Sequence, residues 1–276
     1  MQVLHEAGVV RVRRCRRGLM AYPVSDAHVG RALDVYGEWA EAELELLNAL
    51  LQPGDVAIDV GANLGTHTVA LAQRVGPRGA VLAFEPQRLI HQLLATNATL
   101  NGLMNVRAIH GAVGAQAGAL VVPDIDYATP GNFGGLSLGA WKDGETVPVF
   151  ALDALGLTRC RLIKIDVEGM EGAVLDGARQ LVATARPFIY FEHNAPTGAP
   201  AVLERLLRAE YVCAWHFSPF FRAGNFAGAK DDVFGGMSDA NVLAVPAPLA
   251  AMIQAFEPVR GVDDTAQAAF ERRARR

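Results

Sequence analysis

The amino-acid sequence predicts an α/β protein built on a doubly wound sheet of seven strands, six of them parallel and one antiparallel at an edge. Two observations lead to this fold. Short apolar runs alternate with helical patterns through the middle of the chain, as in parallel sheets whose strands are joined by crossover helices. Two further strands, separated by a long loop, follow that alternating region. With 276 residues, 51% of them hydrophobic and 20% charged, the composition excludes disorder, collagen and coiled coils.

Each predicted strand is an apolar run closed by turn residues, and each helix repeats apolar residues at a spacing of three or four. The run at 56–60 ends at Gly61, for example, and Leu64, Leu71 and Val75 then repeat at helical spacing. The predicted strands cover residues 56–60, 80–84, 106–110, 162–166, 188–191, 211–217 and 241–245. The predicted helices cover residues 40–51, 64–75, 89–100, 170–181 and 202–207.

This pattern divides the chain into three regions. Residues 1–50 form an N-terminal cap or helical segment, and residues 51–246 form the ligand-binding domain. Within that domain, Gly, Pro, Asp and Asn dominate a loop insertion at 114–148, and a loop of that length is usually functional or poorly ordered. Residues 247–276 form a C-terminal helix or tail.

The charge is unevenly distributed, although the formal net charge is only −4. Nine arginines stand in two clusters without an acid, at 11–17 and 272–276, which leaves 16 cations against 29 acids elsewhere. An acidic body repels a phosphate backbone, so nucleic acid is an unfavourable partner. Arginine runs of this kind are most often solvated, although they are also suited to holding an anionic partner.

Cysteine usage and hydropathy predict a cytoplasmic protein without a membrane segment. Cys15, Cys160 and Cys213 are widely separated and form no CxxC pair, so neither a disulfide framework nor a zinc site is expected. Arginines interrupt the N-terminal region, which argues against a signal peptide, and no apolar run reaches about 18 residues.

The strongest local motif is DVGANLG at 59–65, between a predicted strand and a helix. Gly61 allows a tight turn and lets a ligand approach the main chain, and the amides at the start of a helix favour an anionic group. The dinucleotide fingerprint G-x-G-x-x-G fails here, because positions 63 and 66 are Asn and Thr. An acid two residues before the first glycine, here Asp59, is instead found in S-adenosylmethionine sites.

Two further groups of acids follow predicted strands. Glu85 lies about 20 residues after the glycine turn, where a carboxylate accepts hydrogen bonds from a ribose diol, but both NAD and S-adenosylmethionine contain that ribose. The segment LIKIDVEGME at 162–171 places Lys164 and Asp166 on one face of a strand at its carboxyl end. Ligands of open α/β sheets bind at that edge.

Together, these blocks resemble the FkbM family of S-adenosylmethionine-dependent methyltransferases. The similarity covers roughly residues 30–246, and the order of the blocks is more specific than any one of them. The matching blocks are YGEW at 36–39, PGD at 53–55, DVGANLG at 59–65, FEP at 84–86, NFGG at 132–135, KIDVEGME at 164–171 and FE at 191–192.

The resemblance implies a Rossmann-like methyltransferase fold and transfer of a methyl group to a hydroxyl, commonly on a sugar or natural product. By that analogy S-adenosylmethionine is the cofactor, and Asp166 lies beside the transferring methyl. The residues expected at the methionine end and the ribose are Asp59, Gly61, Asn63, Gly65 and Glu85. The chain departs from many such enzymes at His110–Val113, where no acid is present for the adenine amino group, so backbone groups or His110 would hold adenine.

A neutral hydroxyl also needs a group that removes its proton. His193 directly follows the fifth strand, at the same sheet edge as Asp166, and is the leading candidate for this base. His67 and His216 are weaker candidates. Alternatively, Asp166 could bind a metal with Glu192 or Asn194, but no dense ligand cluster supports this, and no metal is expected.

The expected partner is a small hydroxylated acceptor. Tyr36, Asn132 and Glu192 are predicted to contact it, because their segments are placed to reach the sheet edge. Four phenylalanines between the last two strands form either an apolar wall for the acceptor or a packed edge; they are Phe217, Phe220, Phe221 and Phe226. The alternatives are methylation of a nitrogen, a nicotinamide-dependent oxidoreductase and a non-catalytic ligand-binding protein.

Overall fold

The computed structural model describes residues 2–139, 141–193 and 199–275. It contains a small N-terminal sheet, a large central sheet flanked by helices, and a third, small sheet beside it. The elements, in chain order, are β1 Val3–Ala7, β2 Val10–Cys15, β3 Gly18–Pro23, α1 Val29–Val35, α2 Glu41–Leu50, β4 Val56–Val60, α3 Thr66–Val75, β5 Ala80–Glu85, α4 Arg88–Leu100, β6 Val106–His110, β7 Ala112–Val113, β8 Gly118–Val122, β9 Glu145–Phe150, β10 Leu162–Ile165, α5 Glu171–Asp176, α6 Arg179–Ala185, β11 Phe188–Glu192, α7 Ala199–Arg208, β12 Tyr211–Pro219, β13 Ser238–Pro246, β14 Glu257–Pro258 and α8 Ala266–Ala274.

The central sheet has eight strands in the order β14-β12-β13-β11-β10-β4-β5-β6. The five strands from β11 to β6 are parallel, and β13 is antiparallel to both of its neighbours, β11 and β12. The prediction that the antiparallel strand lies at an edge of the sheet is therefore wrong. Residues 240–246 of β13 are all buried, which suits an interior strand, whereas β12 has several exposed or half-buried residues and carries the two-residue strand β14 on its outer side.

One predicted helix is divided. Residues 170–181 form the end of a turn and two short helices, α5 and α6, separated at Gly177. A Cβ at Gly177 would lie 2.1 Å from the carbonyl oxygen of Gly114, so the backbones approach closely there. Both carboxylate oxygens of Asp153 then accept backbone N–H groups at the start of α6, which caps the second helix independently.

The N-terminal region consists of a three-stranded antiparallel sheet and two helices that pack beside α3 and α4. Asn97 on α4 is fully buried and joins this region to the central domain. Its Oδ1 accepts the N–H of Ala21 at 2.6 Å, and its Nδ2 donates to the carbonyl oxygens of Ala21 at 3.0 Å and Leu64 at 2.8 Å. One side chain thus connects β3, α4 and the glycine turn.

Ion pairs within the chain engage most arginines of the first cluster, so the expectation of a solvated run is wrong there, whereas Arg273 and Arg275 of the second cluster are exposed. Arg11 and Arg13 bind Asp34, and Arg16 and Arg17 bind Glu38 and Glu41. In the second cluster, Arg272 binds both Glu257 and Asp264 at 2.7 Å, and these pairs hold α8 against the sheet edge. Acids distant in sequence provide these partners, which the local sequence did not reveal.

The insertion contributes one sheet and one covering loop. β7, β8 and β9 form a three-stranded sheet in which β9 is central. The loop between β8 and β9 folds back over the central sheet, where Phe133 is buried among residues of the N-terminal region and α4. None of the helices in the described part of the chain has the length and apolar character needed to cross a bilayer.

Replacing Asn97 with Ala is expected to lower the free energy of unfolding by about 3 kcal/mol, because two buried carbonyls and one buried N–H lose their partner. Chemical denaturation followed by circular dichroism measures this change. Thr96→Ala serves as the control, since Thr96 is an exposed neighbour whose hydroxyl bonds only within its own helix. Equal stabilities of the two variants would contradict the bridging role of Asn97.

Candidate active site

A cavity of about 340 Å³ opens at the carboxyl ends of β4, β10 and β11. The glycine turn after β4 and the end of β5 form one side, and residues of β13, α2 and the loops on either side of α1 form the other. A smaller pocket of about 40 Å³ adjoins it and is lined mainly by apolar residues and glycines, including Phe84, Pro86, Val113 and Met170. Gly61, Glu85 and Asp166 border both spaces.

The glycine turn brings the main chain against the end of β10. Gly61 has a φ of 75°, and a Cβ there would lie 1.7 Å from the carbonyl oxygen of Asp166, so only glycine fits. Asn63 also has a positive φ, and its Oδ1 accepts the N–H of Leu64. Gly65, at the N-cap of α3, approaches the side chain of Leu94. The predicted turn residues Gly61, Asn63 and Gly65 thus shape the wall beside the cavity.

A buried row of three side chains crosses the sheet below the cavity. Asp59, Lys164 and Tyr190 are aligned partners on β4, β10 and β11, so they point to the same face. Oδ2 of Asp59 accepts a hydrogen bond from the Thr68 hydroxyl at 2.6 Å, and Oδ1 lies 3.3 Å from the Lys164 Nζ. Asp59 is fully buried beneath the cavity lining, so it braces the turn and Lys164 rather than facing a ligand directly.

Lys164 joins Asp59 to Asp166. Its Nζ lies 3.2 Å from Asp166 Oδ2 and 3.4 Å from the carbonyl oxygen of Gly61. Burial alone would lower the pKa of Lys164, but the charges of Asp166 and Asp59 raise it above the ordinary value. Burial likewise would raise the pKa of Asp166, whereas Lys164 and a hydrogen bond from Glu192 lower it below the usual range. Asp166 is therefore ionised beside a fixed ammonium group.

Further carboxylates crowd the cavity next to Asp166. Burial and the nearby Asp166 raise the pKa of Glu192 to about 10, and burial and the charge of Glu43 raise the pKa of Asp239 to about 8. Burial and Asp166 raise the pKa of Glu168 to about 7. The acids in this part of the cavity therefore hold protons near neutral pH, unless a cationic ligand lies among them.

Some of these acids could also act as ligands of a metal ion, the alternative considered from the sequence. Oxygens of Asp166, Glu168 and Glu192 lie within 4.8 Å of one another, close enough to share one cation, although acids also cluster without one. Asn194, the other ligand considered in that alternative, lies outside the described residues.

Glu85 stands at the boundary between the cavity and the smaller pocket. Its Oε1 accepts the N–H of Gln87 at 2.9 Å and its Oε2 accepts the N–H of Asn63 at 3.0 Å, so the carboxylate is fixed between two backbone segments. Burial raises the pKa of Glu85 to about 7, against these two hydrogen bonds. Each oxygen retains a lone pair for a ligand hydroxyl.

His193 does not lie at the cavity. Side chains alternate along a strand, so Glu192 points into the cavity and His193 points to the opposite face of the sheet. There its ring contacts Phe191 and Trp215 edge-on, with centroids 5.8 and 5.0 Å away. The position of His193 thus argues against its predicted role as the base, and the alternation in the sequence contained that signal.

Of the three residues predicted to contact the acceptor, two line the cavity and one lies behind its wall. Asn132 and Glu192 line the cavity, and Asn132 Oδ1 accepts the N–H of Gly135. Tyr36 is fully buried behind the wall, where its hydroxyl accepts the N–H of Val233 at 2.7 Å. It fixes the segment before β13, and Trp39 reaches the cavity in its place.

The four predicted phenylalanines and His110 differ in their positions relative to the cavity. Phe220 lines the cavity and packs on Trp39 with centroids 4.7 Å apart, whereas Phe217 stacks on Trp215 at the far edge. Phe221 packs on Tyr36 and Phe226 is exposed. His110 bonds the carbonyl oxygen of Pro86, and neither cavity includes its side chain. Gly111, Ala112 and Val113, which follow His110, border the smaller pocket instead.

Several cavity residues were not predicted. Glu43, Tyr190, Asp239 and Asn241 line it together with His67, which was only a weaker candidate. Asn241 pairs with Glu192 in the register of β13 and β11, so its place follows once the order of the sheet is known. No signal in the sequence identifies Glu43, because it lies in an amphipathic helix outside the recognisable motifs.

The comparison with protein families gives one match. The family model described as "Methyltransferase FkbM domain" matches residues 59–213, more than half of the chain. None of the curated proteins matches the chain.

Similar solved structures include three methyltransferases. The FkbM methyltransferase of Methylobacillus flagellatus has 15% identity and a TM-score of 0.44, and the match covers 73% of this chain and 50% of that one. The precorrin-6y C5,15-methyltransferase of Geobacter metallireducens has 14% identity and a TM-score of 0.45, with 75% and 86% covered. The O-methyltransferase TomG of Streptomyces achromogenes has 12% identity and a TM-score of 0.44, with 75% and 78% covered.

Because the pKa of Glu192 is raised, the free energy of unfolding is expected to depend on pH. The folded protein keeps a proton on Glu192 up to about pH 10, whereas the unfolded chain releases it above its ordinary pKa of about 4.3. This difference lowers the stability of the wild type as the pH rises.

Glu192→Gln removes this linkage, so its stability relative to the wild type is expected to increase between pH 6 and pH 9, by up to about 4 kcal/mol. Denaturant unfolding at several pH values measures the difference, and contributions of groups distant from Glu192 cancel between the two proteins. Glu271→Gln, at an exposed acid of α8, should show no such trend. A pH-independent difference for Glu192→Gln would contradict the assignment.

Proposed function

The chain belongs to the FkbM methyltransferase family, and on that premise we propose that it methylates a hydroxyl group of a small natural product or sugar. Membership of this family implies S-adenosylmethionine as the methyl donor. The observation that carries the proposal is the single cavity in which Glu85 and the glycine turn stand on one side and Asp166, Glu192 and an aromatic wall on the other.

The residues on the first side fit the cofactor. Gly61, Ala62 and Asn63 of the glycine turn line the cavity, and the start of α3 would present amides to a carboxylate. Glu85 is fixed with a free lone pair on each oxygen, as a ribose diol requires. The adjoining apolar pocket, bounded by Pro86, Val113 and Met170, lies next to Glu85, on the side where the adenine of a bound cofactor would extend from the ribose.

The charge of the cavity also fits S-adenosylmethionine. Bound S-adenosylmethionine supplies a methyl group on a positively charged sulfur, which is the electrophile of the reaction. The ionised Asp166 lies where β10 ends and offers a negative group to such a cation. Lys164 keeps Asp166 in one place, so the site is organised before the cofactor enters.

The other side of the cavity fits a small hydroxylated acceptor. Trp39 and Phe220 offer an apolar surface, and Asn132, Glu192 and Asn241 offer hydrogen-bonding groups around it. The cavity volume of about 340 Å³ suits a small molecule. The residues of the chain then hold the acceptor oxygen near the reacting carbon, and positioning of this kind accounts for much of the rate of a displacement reaction.

S-adenosylhomocysteine is expected to bind the purified protein with a dissociation constant in the micromolar range, measurable by calorimetry. Glu85→Gln should weaken this binding by about tenfold or more, because an amide offers one acceptor oxygen where the carboxylate offers two. Glu145→Gln is the control, since Glu145 pairs with Arg88 on the insertion and lines neither space.

Thermal unfolding of both variants shows whether they remain folded. Absence of S-adenosylhomocysteine binding to the wild type would overturn the cofactor assignment. Unchanged affinity of a folded Glu85→Gln protein would remove Glu85 from the ribose site.

A further inference from the structure

Three buried side chains from separate elements meet at one wall of the cavity. His67 lies in the first turn of α3, Glu43 comes from α2 and Asn241 comes from β13. The Nε2 of His67 lies 3.0 Å from Glu43 Oε2, and the Nδ2 of Asn241 donates to Glu43 Oε1 at 3.1 Å. Both oxygens of Glu43 are therefore engaged, and its side chain has one orientation.

This arrangement fixes the tautomer of His67. An ionised carboxylate only accepts hydrogen bonds, so Nε2 of His67 carries the proton shared with Glu43. The lone pair of the neutral ring then lies on Nδ1. No described residue makes a hydrogen bond with that nitrogen, and His67 lines the cavity. The ring thus offers an oriented acceptor for a proton.

The pair also stands beside the reacting region. His67 and Asp166, which ends the strand at the centre of the cavity, both line it, and a positive charge on His67 would lower the pKa of Asp166. Glu43 and Asn241 belong to segments that lie outside the family match at residues 59–213. The N-terminal region and the last long strand thus add a group that the matched segment lacks.

We infer that His67, oriented by Glu43 and Asn241, accepts the proton of the acceptor hydroxyl during methyl transfer; this inference rests on the proposed function. The acceptor oxygen forms a bond to the methyl carbon while the bond from that carbon to sulfur breaks. The electron pair of the broken bond stays on sulfur, which becomes a neutral thioether. The hydroxyl proton passes to Nδ1 of His67, and Glu43 stabilises the resulting imidazolium ion.

The other candidate bases in the cavity are less suitable. Glu192 already holds a proton near neutral pH, since burial and Asp166 raise its pKa to about 10. His28 lines the cavity among Phe220 and Phe234, but none of the described carboxylates hydrogen-bonds its ring to orient it or stabilise its charge. The titratable groups that surround His67 and Glu43 are Lys164, Asp166, Tyr190, His216 and Asp239.

Nitrogen chemical shifts of histidine test the inference without an acceptor. In ¹⁵N-histidine-labelled protein, free and with S-adenosylhomocysteine, His67 is expected to carry its proton on Nε2 and none on Nδ1 at pH 8. The signal is assigned by its loss in His67→Gln. Glu43→Gln is expected to mix the two tautomers. Protonation of Nδ1 at pH 8 in the wild type, or an unchanged tautomer in Glu43→Gln, would overturn the inference.

Turnover provides the second test, with methyl α-glucopyranoside, methyl α-rhamnopyranoside and catechol as probe acceptors and thioether release as the readout. In His67→Gln kcat should fall by roughly 10²-fold or more, with S-adenosylhomocysteine affinity within about threefold. Glu43→Gln, which loses the carboxylate that orients the ring, should also lower kcat, but by a smaller factor. His91→Gln, at a histidine outside the cavity, should keep the kcat of the wild type.

The outcomes separate the two proposals. A wild type that binds no S-adenosylhomocysteine contradicts the proposed function itself. If binding occurs and His67→Gln keeps the kcat of the wild type, the role of His67 is wrong while the methyltransferase remains. If His67→Gln folds but loses S-adenosylhomocysteine affinity in proportion to its loss of turnover, His67 holds the cofactor and is not the base.

Discussion

The site depends on the Lys164 ammonium group, which is buried between Asp59 on β4 and Asp166 at the end of β10. A buried ammonium is stable only with paired charges around it, and a buried carboxylate has the same requirement. Lys164 satisfies both acids and also approaches the carbonyl oxygen of Gly61. The ion pairs of Lys164 and its contact with Gly61 therefore stabilise the path of the glycine turn and the position of Asp166 together.

The charged groups that line the cavity favour a cationic ligand. Asp59 and Asp166 are balanced by Lys164, but Glu168, Glu192 and Asp239 share the same space with no further lysine or arginine among the described residues that line it. Protons compensate these acids in the free protein, as their raised pKa values indicate. A cationic sulfur would interact favourably with such a cavity, whereas a polyanion would not.

The N-terminal region is part of the site as well as a cover for it. Asn97 attaches its sheet to the central domain, and the first arginine cluster binds Asp34, Glu38 and Glu41, next to α2. Those contacts place Glu43 against His67 and Asn241. Arginines that look like an anionic-partner motif in the sequence thus pair with acids in and next to α1 and α2, the helix that also carries Glu43.

The sequence by itself determined the alternating α/β fold, the glycine turn, and the placement of Glu85, Asp166 and Glu192 at one sheet edge, because these follow from local periodicity and from short motifs. Only the tertiary structure decided that β13 is interior, that Asp59 lies beneath the cavity, and that Glu43, Asp239 and Asn241 reach it. These features depend on strand order and on the docking of the N-terminal region, which are set by contacts between residues far apart in the chain. The position of His193 was predictable from the sequence although it was predicted wrongly, because alternation along β11 already directed its side chain away from Glu192.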